Sequence, residues 1–215
     1  MATTYKDIRD NDIAATRTKL HEAIPITGTI TSGTYTDNNI KNYAHGMFQS
    51  VYDYPFLSSS ANHIFDLTVG VAADDGAYSS ITSQQQKKNN IYNQFAQTMV
   101  GYDITGNIHQ FDVDGILGTG DQLKQALFIP FSRLLTKDEI KKESFSMILG
   151  VDPDAYSSPF AQMIKVFDSG AINNYRVNSP AGEYGLLYAS NYLGTPISGA
   201  GGAGDANAVP VGLIY

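Results

Sequence analysis

The stretch from His63 to Val71, HIFDLTVGV, alternates between two sets of side chains along its whole length. A period of two places successive side chains on opposite faces of a strand, whereas a helix would scatter them. Turn-forming residues, DDG, follow shortly afterwards. We therefore predict a strand with two distinct faces. One face is formed by Phe65, Leu67, Val69 and Val71, and the other by Ile64, Asp66 and Thr68.

The segment from Ser83 to Val100 has the periodicity of a helix. Ser83 and Gln86 have the spacing of a capping box, and Gly101 stands where a C-terminal cap belongs. The apolar residues recur at intervals of three and four, as one face of a helix requires. They are Ile91, Phe95, Met99 and Tyr102. This stripe predicts an amphipathic helix that packs against the core.

Two weaker patterns predict further helices. Tyr5 to Ala23 carries a thin apolar stripe that Pro25 ends, and Asp37 or Asn38 has the chemistry of an N-cap for a helix that extends to Val51. The second helix is predicted from the helical spacing of Ile40, Tyr43, Ala44, Met47 and Val51. Thr136 and Glu139 add capping-box spacing for a single short turn.

Strand patterns dominate the second half of the chain. Ala126 to Leu134 is one, and Pro130 within it indicates an edge strand or a bulge. The other predicted strands are Phe145 to Leu149, Met163 to Asp168, Ile172 to Val177 and Tyr184 to Ala189. The sequence YGLLY at Tyr184–Tyr188 recurs as VGLIY at Val211–Tyr215. We expect these two short strands to pair across the Gly/Ala-rich loop from Ser198 to Asn207.

These patterns predict an α+β protein with a β-rich core, two or three helices, and extended N- and C-terminal segments. Residues 1–36 would form an N-terminal arm made of a helix and an extended segment. Residues 37–197 would form the core domain. Residues 198–215 would form the Gly/Ala-rich loop and a C-terminal strand.

The composition bears on the class of partner. Only 16% of the 215 residues are charged, well below the usual quarter. Because a freely diffusing monomer keeps more surface charge, this shortage favours a subunit that neighbours cover. The net charge of −7 disfavours nucleic acid as a partner. The absence of cysteine excludes disulfides, thiolate catalysis and cysteine-bound metal.

The chain carries no pattern that predicts a membrane partner. The N-terminal sequence MATTYKDIRDNDIAATRTKL lacks the apolar region of a signal peptide, and no run is long enough to span a bilayer. We therefore expect synthesis and assembly in the cytoplasm. The two basic doublets, Lys87-Lys88 and Lys141-Lys142, are interpreted as solvated ends of helices.

Three near-matches to functional motifs each lack an essential part. Gly199, Gly201 and Gly204 match a dinucleotide-binding fingerprint, but too few residues follow for the required helix. His21-Glu22 begins a zinc-protease motif whose second histidine is replaced by Pro25. Asp112, Asp114 and Gly115 resemble part of a calcium loop without its remaining ligands, so a hydrated Asp-Gly turn is preferred and a loop ion is the alternative. We predict no catalytic residue, no cofactor and no metal.

The region from Asn39 to Gly70 is rich in Tyr, Phe, Asn and Ser and nearly free of strong charge. Aromatic rings bury a large area while their polar tips still find partners, which suits a protein interface. The predicted interface residues are Ile40, Tyr43, Met47, Tyr52, Tyr54 and Phe56. The alternative is that these tyrosines pack inside a single domain.

Three blocks of sequence carry a family resemblance: LHEAIPITGTITSGTY, IKNYAHGMFQSVYDYPFLSSSANHIFDLTVG and FSRLLTKDEIKKESFSMILG. With them, the chain resembles virion structural proteins of tailed, T4-like phages of cyanobacteria. The resemblance implies a place in the tail or baseplate, assembly with other virion proteins and with copies of itself, and production in the host cytoplasm. It supplies no catalytic residue.

Three other roles stay open at this point. The first is a head–tail neck or capsid-associated subunit. The second is a receptor- or glycan-binding module at the tail tip. The third is a tail enzyme that cleaves peptidoglycan, because a pair of carboxylates needs only spatial proximity to act on a glycosidic bond.

Overall fold

The computed structural model contains two antiparallel sheets and one helix, so the described part of the protein is mostly β. The structure describes residues 39–52, 56–57, 59, 61–76, 82–118, 120, 122–131, 140–150, 163–191 and 210–215. The predicted β-rich core is confirmed at this level. The predicted arm (1–36), with its helix over Tyr5–Ala23, lies outside these residues, as does most of the short turn at Thr136.

The first sheet has four strands in sequence order. They are β1 (Ile40–Asn42), β2 (Phe48–Tyr52), β3 (His63–Val71) and β4 (Gln125–Phe128). The predicted strand from His63 to Val71 is confirmed as β3. Strand β4 is an edge of this sheet and ends two residues before Pro130, which agrees with the predicted edge position.

Helix α1 (Ser83–Met99) is confirmed with nearly its predicted bounds, and it packs against β3. The N-cap is Thr82, one residue earlier than predicted, and its side-chain oxygen accepts a hydrogen bond from the Gln85 N–H at 3.2 Å. At the other end, Gly101 has a φ of 91°, which only glycine adopts without strain. The predicted glycine cap is therefore confirmed.

The core between α1 and the first sheet is built from aromatic rings. Tyr92 is 1% exposed and contacts Phe111 edge to face at 5.6 Å, while Phe95 stacks on Phe128 at 4.3 Å. The Tyr92 hydroxyl donates to the Leu123 carbonyl at 2.7 Å and accepts from the Phe111 N–H. A buried tyrosine needs such partners for its polar end.

The second sheet collects the remaining strands. They are β5 (Ser146–Gly150), β6 (Met163–Phe167), β7 (Tyr175–Arg176), β8 (Tyr184–Asn191) and β9 (Gly212–Ile214). Strand β8 is central, since β6, β7 and β9 all pair with it. The expected pairing of the two echoed segments is confirmed: β8 and β9 are antiparallel, with Gly185 opposite Ile214 and Leu187 opposite Gly212.

The second sheet contacts the helix and loops of the first. Leu213 of β9 packs against the aromatic core around Tyr92, and the Asn178 amide donates to the Gly115 carbonyl at 2.8 Å. The Ser179 hydroxyl donates to the Met99 carbonyl at the end of α1. These contacts join the two sheets, and in each contact the two residues are more than 60 positions apart in the sequence.

The predicted helix from Asp37 to Val51 is wrong in the described part, where β1 and β2 form a hairpin. The chain reverses at Gly46, which has a φ of 61° and whose N–H donates to the Tyr43 carbonyl at 2.9 Å. Gln49 and Val51 are buried on one side of β2, which a strand allows by alternation. Burial within the sheet overrides the helical spacing of Ile40, Tyr43 and Met47.

The predicted strand from Ile172 to Val177 is shorter than expected, because only Tyr175 and Arg176 pair with β8. The preceding residues form a turn whose N–H groups bond back to the carbonyls of Asp168 and Gly170. No helix in the described residues is both long and apolar enough to cross a membrane.

The interpretation of Lys88 as a solvated residue at a helix end is wrong. Lys88 is 1% exposed and lies on the buried face of α1, four residues before Tyr92 and three after Gln85. Its neighbour Lys87 is exposed, as predicted. One residue of rotation along a helix is about 100°, so adjacent lysines face different environments.

Candidate functional site

One face of the first sheet carries a group of half-exposed rings. Register places Ser50 of β2 between Lys41 of β1 and Asp66 of β3, all on the same face. Alternation then brings Phe48 and Tyr52 of β2 to this face, and the adjoining loops add further rings. We call this surface the aromatic face; its rings are Tyr43, His45, Phe48, Tyr52, Phe56 and His63.

The rings of the aromatic face form two groups. In the first, Tyr43 stacks on His45 at 5.3 Å and both contact Phe48, at 4.7 and 4.9 Å. The Lys41 ammonium lies over the Tyr43 ring, 5.1 Å from its centre. His45 is exposed, and the two rings it contacts are half-buried. The hairpin itself therefore builds this ring stack from a short run of sequence.

The second group surrounds Tyr52. Its ring lies 5.3 Å from His63 and 6.2 Å from Phe56, and all three side chains are half-buried. Leu57, next in the chain, is 85% exposed. Contiguous apolar patches on a protein surface often mark interaction sites, whereas single exposed apolar residues are common and have no special meaning.

A chain of hydrogen bonds ties the two ring groups together. The Ser50 hydroxyl donates to Asp66 Oδ1 at 2.6 Å, and His63 Nε2 bonds to the same oxygen at 2.7 Å. At the other end, the Tyr43 hydroxyl lies 3.2 Å from Ser50 Oγ. The Asp66 carboxylate thus fixes the position of a ring in each group.

The order of these contacts differs from that of a nucleophilic triad. In a triad, histidine lies between serine and the carboxylate, so that it removes the serine proton. Here Asp66 lies between Ser50 and His63, which leaves Ser50 with a carboxylate acceptor and without a histidine base. The arrangement therefore differs from a triad, and it orients side chains on this surface.

The predicted interface residues divide between the two faces of the sheet. Tyr43, Tyr52 and Phe56 belong to the aromatic face. Ile40 is only 6% exposed, and its pairing with Val51 places it on the opposite face, so it does not belong to the aromatic face. Met47 is half-buried beside the hairpin turn, and its carbonyl accepts from the Thr68 hydroxyl. Tyr54 lies outside the described residues.

Sequence reasoning missed His63 on this surface because of a bulge. Simple alternation would place His63 on the side of Phe65, away from Asp66. The register shifts between Val51 and Tyr52, so that Val51 pairs with Phe65 while Tyr52 pairs with His63. The extra residue turns His63 towards Asp66. His45 and Phe48 were missed because the segment was read as a helix.

The described residues contain no group of three or more His, Cys, Asp or Glu side chains that could hold a metal ion. His45 and His63 belong to the two separate ring groups, and His109 bonds through its backbone to Gly101. The glycine motif at Gly199 and the His21-Glu22 pair lie outside the described residues.

Comparison with known proteins identified no relative: no family model, no curated protein and no solved structure matches this chain.

Proposed function

We propose that this chain is a structural subunit of a tailed-phage virion, placed in the tail or baseplate and acting through contacts with neighbouring subunits. The observation that carries the proposal is the aromatic face, a surface of half-exposed rings in which Asp66 bonds directly to His63 and, through Ser50, is linked to Tyr43. The sequence resemblance to virion structural proteins, described above, supplies the placement. The subunit works without catalysis, a cofactor, nucleic acid or a membrane, and it is made in the host cytoplasm.

The physical argument concerns what the aromatic face gains on burial. Apolar area removed from water stabilises a complex by about 25 cal/mol per Å². The hydroxyl of Tyr43 and Nε2 of His45 can supply polar contacts at the same time, since His45 Nδ1 already accepts from the Met47 N–H, and tyrosine is enriched at such interfaces. Rings that are already ordered lose little entropy on binding.

A second copy of the chain is the first partner that we expect on this face. Lys41 and Asp66 lie on either side of Ser50 on the neighbouring strands, so the face carries both signs of charge. A two-fold contact brings the same surface of two subunits together, and each cation can then face the other subunit's anion. An N-terminal arm over residues 1–36, with the helix predicted from Tyr5 to Ala23, would extend the contact.

We expect Tyr52→Arg to weaken self-association by at least roughly tenfold. The substitution places a charge among the rings of the aromatic face, and it removes a tyrosine, a residue type enriched among those that contribute most to binding. Sedimentation velocity over a concentration series measures the effect. Tyr102→Arg is the matched control, since Tyr102 is 53% exposed and lies in the loop after α1, away from the aromatic face. Equal association of the two variants, or a wild type that stays monomeric, would contradict a role of this face in self-assembly.

Placement in the particle needs a separate experiment. Imaging of intact virions carrying a tag on this chain should locate it in the tail or baseplate. A position at the neck or capsid would favour the first alternative, and absence from purified particles would refute the virion proposal altogether.

A glycan-binding role at the tail tip is the second candidate, and one observation favours it. A shallow polar cavity of about 590 Å³ is lined by Glu143, Ser169, Gly170, Asn173 and Asn174. Carboxylate, hydroxyl and amide groups suit the hydroxyls of a sugar. Glu143 is held there with a φ of 65°, and its N–H donates to the buried Asp168 carboxylate at 2.7 Å.

A glycan array tests this second candidate. Binding to defined sugars that Asn173→Ala reduces by roughly tenfold would support it, since a site built to hydrogen-bond a hydroxyl loses strongly when one partner is removed. Wild-type protein that binds no glycan above background would dismiss it.

A further inference from the structure

The loop that follows Phe111 contains a buried carboxylate, one oxygen of which has no hydrogen-bond partner among the described residues. Asp112 is 2% exposed, and its backbone bridges to Gln122. Its Oδ1 accepts a hydrogen bond from the Asp114 N–H at 3.0 Å. Its Oδ2 is fully buried and accepts no hydrogen bond from any described residue. A buried, unsatisfied carboxylate oxygen costs free energy unless something binds it.

The carboxyl of Asp114 lies within hydrogen-bonding range of that of Asp112, and the two affect each other in opposite directions. Burial raises the pKa of Asp112, and the neighbouring Asp114 raises it further. The pKa of Asp114 is lowered, first by its hydrogen bond to Asp112. Asp114 Oδ1 also accepts from the Ile116 N–H at 2.8 Å. Two ionised carboxylates that are near each other repel, and a cation or a shared proton between them would relieve this repulsion.

Nearby groups leave the two carboxylates available. The Arg176 Nε donates to the main-chain carbonyl of Asp114 at 3.0 Å, and its NH1 group donates to Asn174, so neither of these bonds is made to a carboxylate. The Tyr184 hydroxyl lies close enough for both acids to raise its pKa, in addition to the larger effect of burial. It donates to the Asn178 side chain at 2.8 Å. The surroundings therefore contribute oxygen atoms and a single positive charge.

We propose that Asp112 and Asp114 bind a calcium ion, which satisfies the buried Oδ2 of Asp112. Calcium accepts six to eight oxygen ligands in irregular geometry, including water, so water would complete a shell that the two carboxylates begin. Magnesium requires a regular octahedron and keeps its water more firmly. Asp114 is half-buried, which provides a route from solvent to the buried acid. This site is independent of the aromatic face and of the virion proposal.

Terbium luminescence and thermal unfolding test the site directly. The chain contains no tryptophan, so excitation in the tyrosine band reports on a Tb³⁺ ion near a tyrosine such as Tyr184. Titrating Tb³⁺ alone into the full chain should produce saturable emission that Ca²⁺ displaces and Mg²⁺ does not. At a Ca²⁺ concentration of roughly 100 times the Kd, the Tm should rise by about 5–10 °C over its value in EDTA.

Two variants and a matched control locate the ion. Asp112→Asn should lower the Tb³⁺ affinity at least tenfold and abolish the Ca²⁺-dependent rise in Tm. In EDTA, the same variant should have a higher Tm than wild type, because the new amide can donate to Asp114 and the repulsion is gone. Asp103→Asn is the control, since Asp103 accepts backbone hydrogen bonds from Thr105 and Asn107 in an exposed loop of similar type. It should leave Tb³⁺ affinity unchanged.

Three results would overturn the calcium proposal. One is a wild-type Tm that is the same in Ca²⁺ and EDTA. Another is Tb³⁺ emission that Asp112→Asn leaves intact. The third is stability that changes with pH but not with Ca²⁺ and loses that pH dependence in Asp112→Asn, which would assign a shared proton instead. Should Asp112→Asn fail to fold, Asp114→Asn in the same titration decides the question.

Discussion

Replacing Gly70 by alanine is expected to lower the free energy of unfolding by about 3 kcal/mol, and replacing it by valine should lower it further. A Cβ atom at position 70 would lie 2.6 Å from Cε2 of Phe128 and 2.9 Å from Cα of Tyr92. Real Cβ atoms do not approach other atoms this closely. Because one of the obstacles is the backbone of α1, the helix would have to move away from β3, which loosens the aromatic core.

Urea denaturation of Gly70→Ala measures the change in the free energy of unfolding. In thermal unfolding, the Tm of a domain of this size should fall by roughly 6–12 °C. Gly76→Ala is the matched control, since a Cβ there meets nothing within 4 Å. The control should change stability by less than about 0.5 kcal/mol. Equal stability of the two variants would contradict the close packing of α1 on β3 at Gly70.

The second large effect is a rise in stability with pH that depends on Lys88. Burial lowers the pKa of Lys88 to about 8, from 10.5 for an exposed lysine. Between these two values the unfolded chain binds more protons than the folded protein, so the free energy of unfolding increases as the pH rises. The increase between pH 8 and pH 10 should be at most about 3 kcal/mol, since one pKa unit corresponds to about 1.4 kcal/mol.

Tyrosine ionisation sets the upper limit of this window. Burial raises the pKa of Tyr92 to about 12, against 10.0 for an exposed tyrosine. Above pH 10 the unfolded chain loses this proton first, so Tyr92 makes the free energy of unfolding fall as the pH rises further. We therefore expect maximum stability near pH 10, between the two opposing effects.

Lys88→Met isolates the lysine contribution. It keeps the length of the side chain and removes the charge, so the stability increase between pH 8 and pH 10 should disappear. Lys87→Met changes an exposed lysine in the same turn of α1 and should leave the pH profile unchanged. Urea denaturation at pH 7, 8, 9 and 10 measures all three proteins. A wild-type profile that is flat over this range would show that the Lys88 ammonium stays solvated.

Local periodicity explains which parts of the fold were predictable. Strand β3 and helix α1 each repeat their pattern over several periods, so their type and bounds follow from the residues alone. The β8–β9 pair was predictable for another reason: two copies of nearly the same apolar pentapeptide have the same length and can pair with each other. In each case, the signal lies in residues that are close together in the sequence or that repeat one another.

The hairpin of β1 and β2 shows where local patterns mislead. Ile40, Tyr43, Met47 and Val51 are spaced like one face of a helix, yet they are distributed over two strands and a turn. A left-handed glycine at position 46 and pairing with β3 decide the outcome, and the partner strand lies outside any local window. The aromatic face could therefore be anticipated by composition but not by geometry.

The sequence by itself determined the β-rich class, the strand His63–Val71, the helix near Ser83–Met99 and the tyrosine-rich character of the candidate interface, because each depends on neighbours along the chain. Only the tertiary structure decided that His63 turns to Asp66 through a bulge, that Lys88 is buried while Lys87 is not, and that Asp112 carries a buried oxygen without a donor. These three properties depend on burial and register, which are set by residues distant in sequence, and short-range spacing carries no record of them.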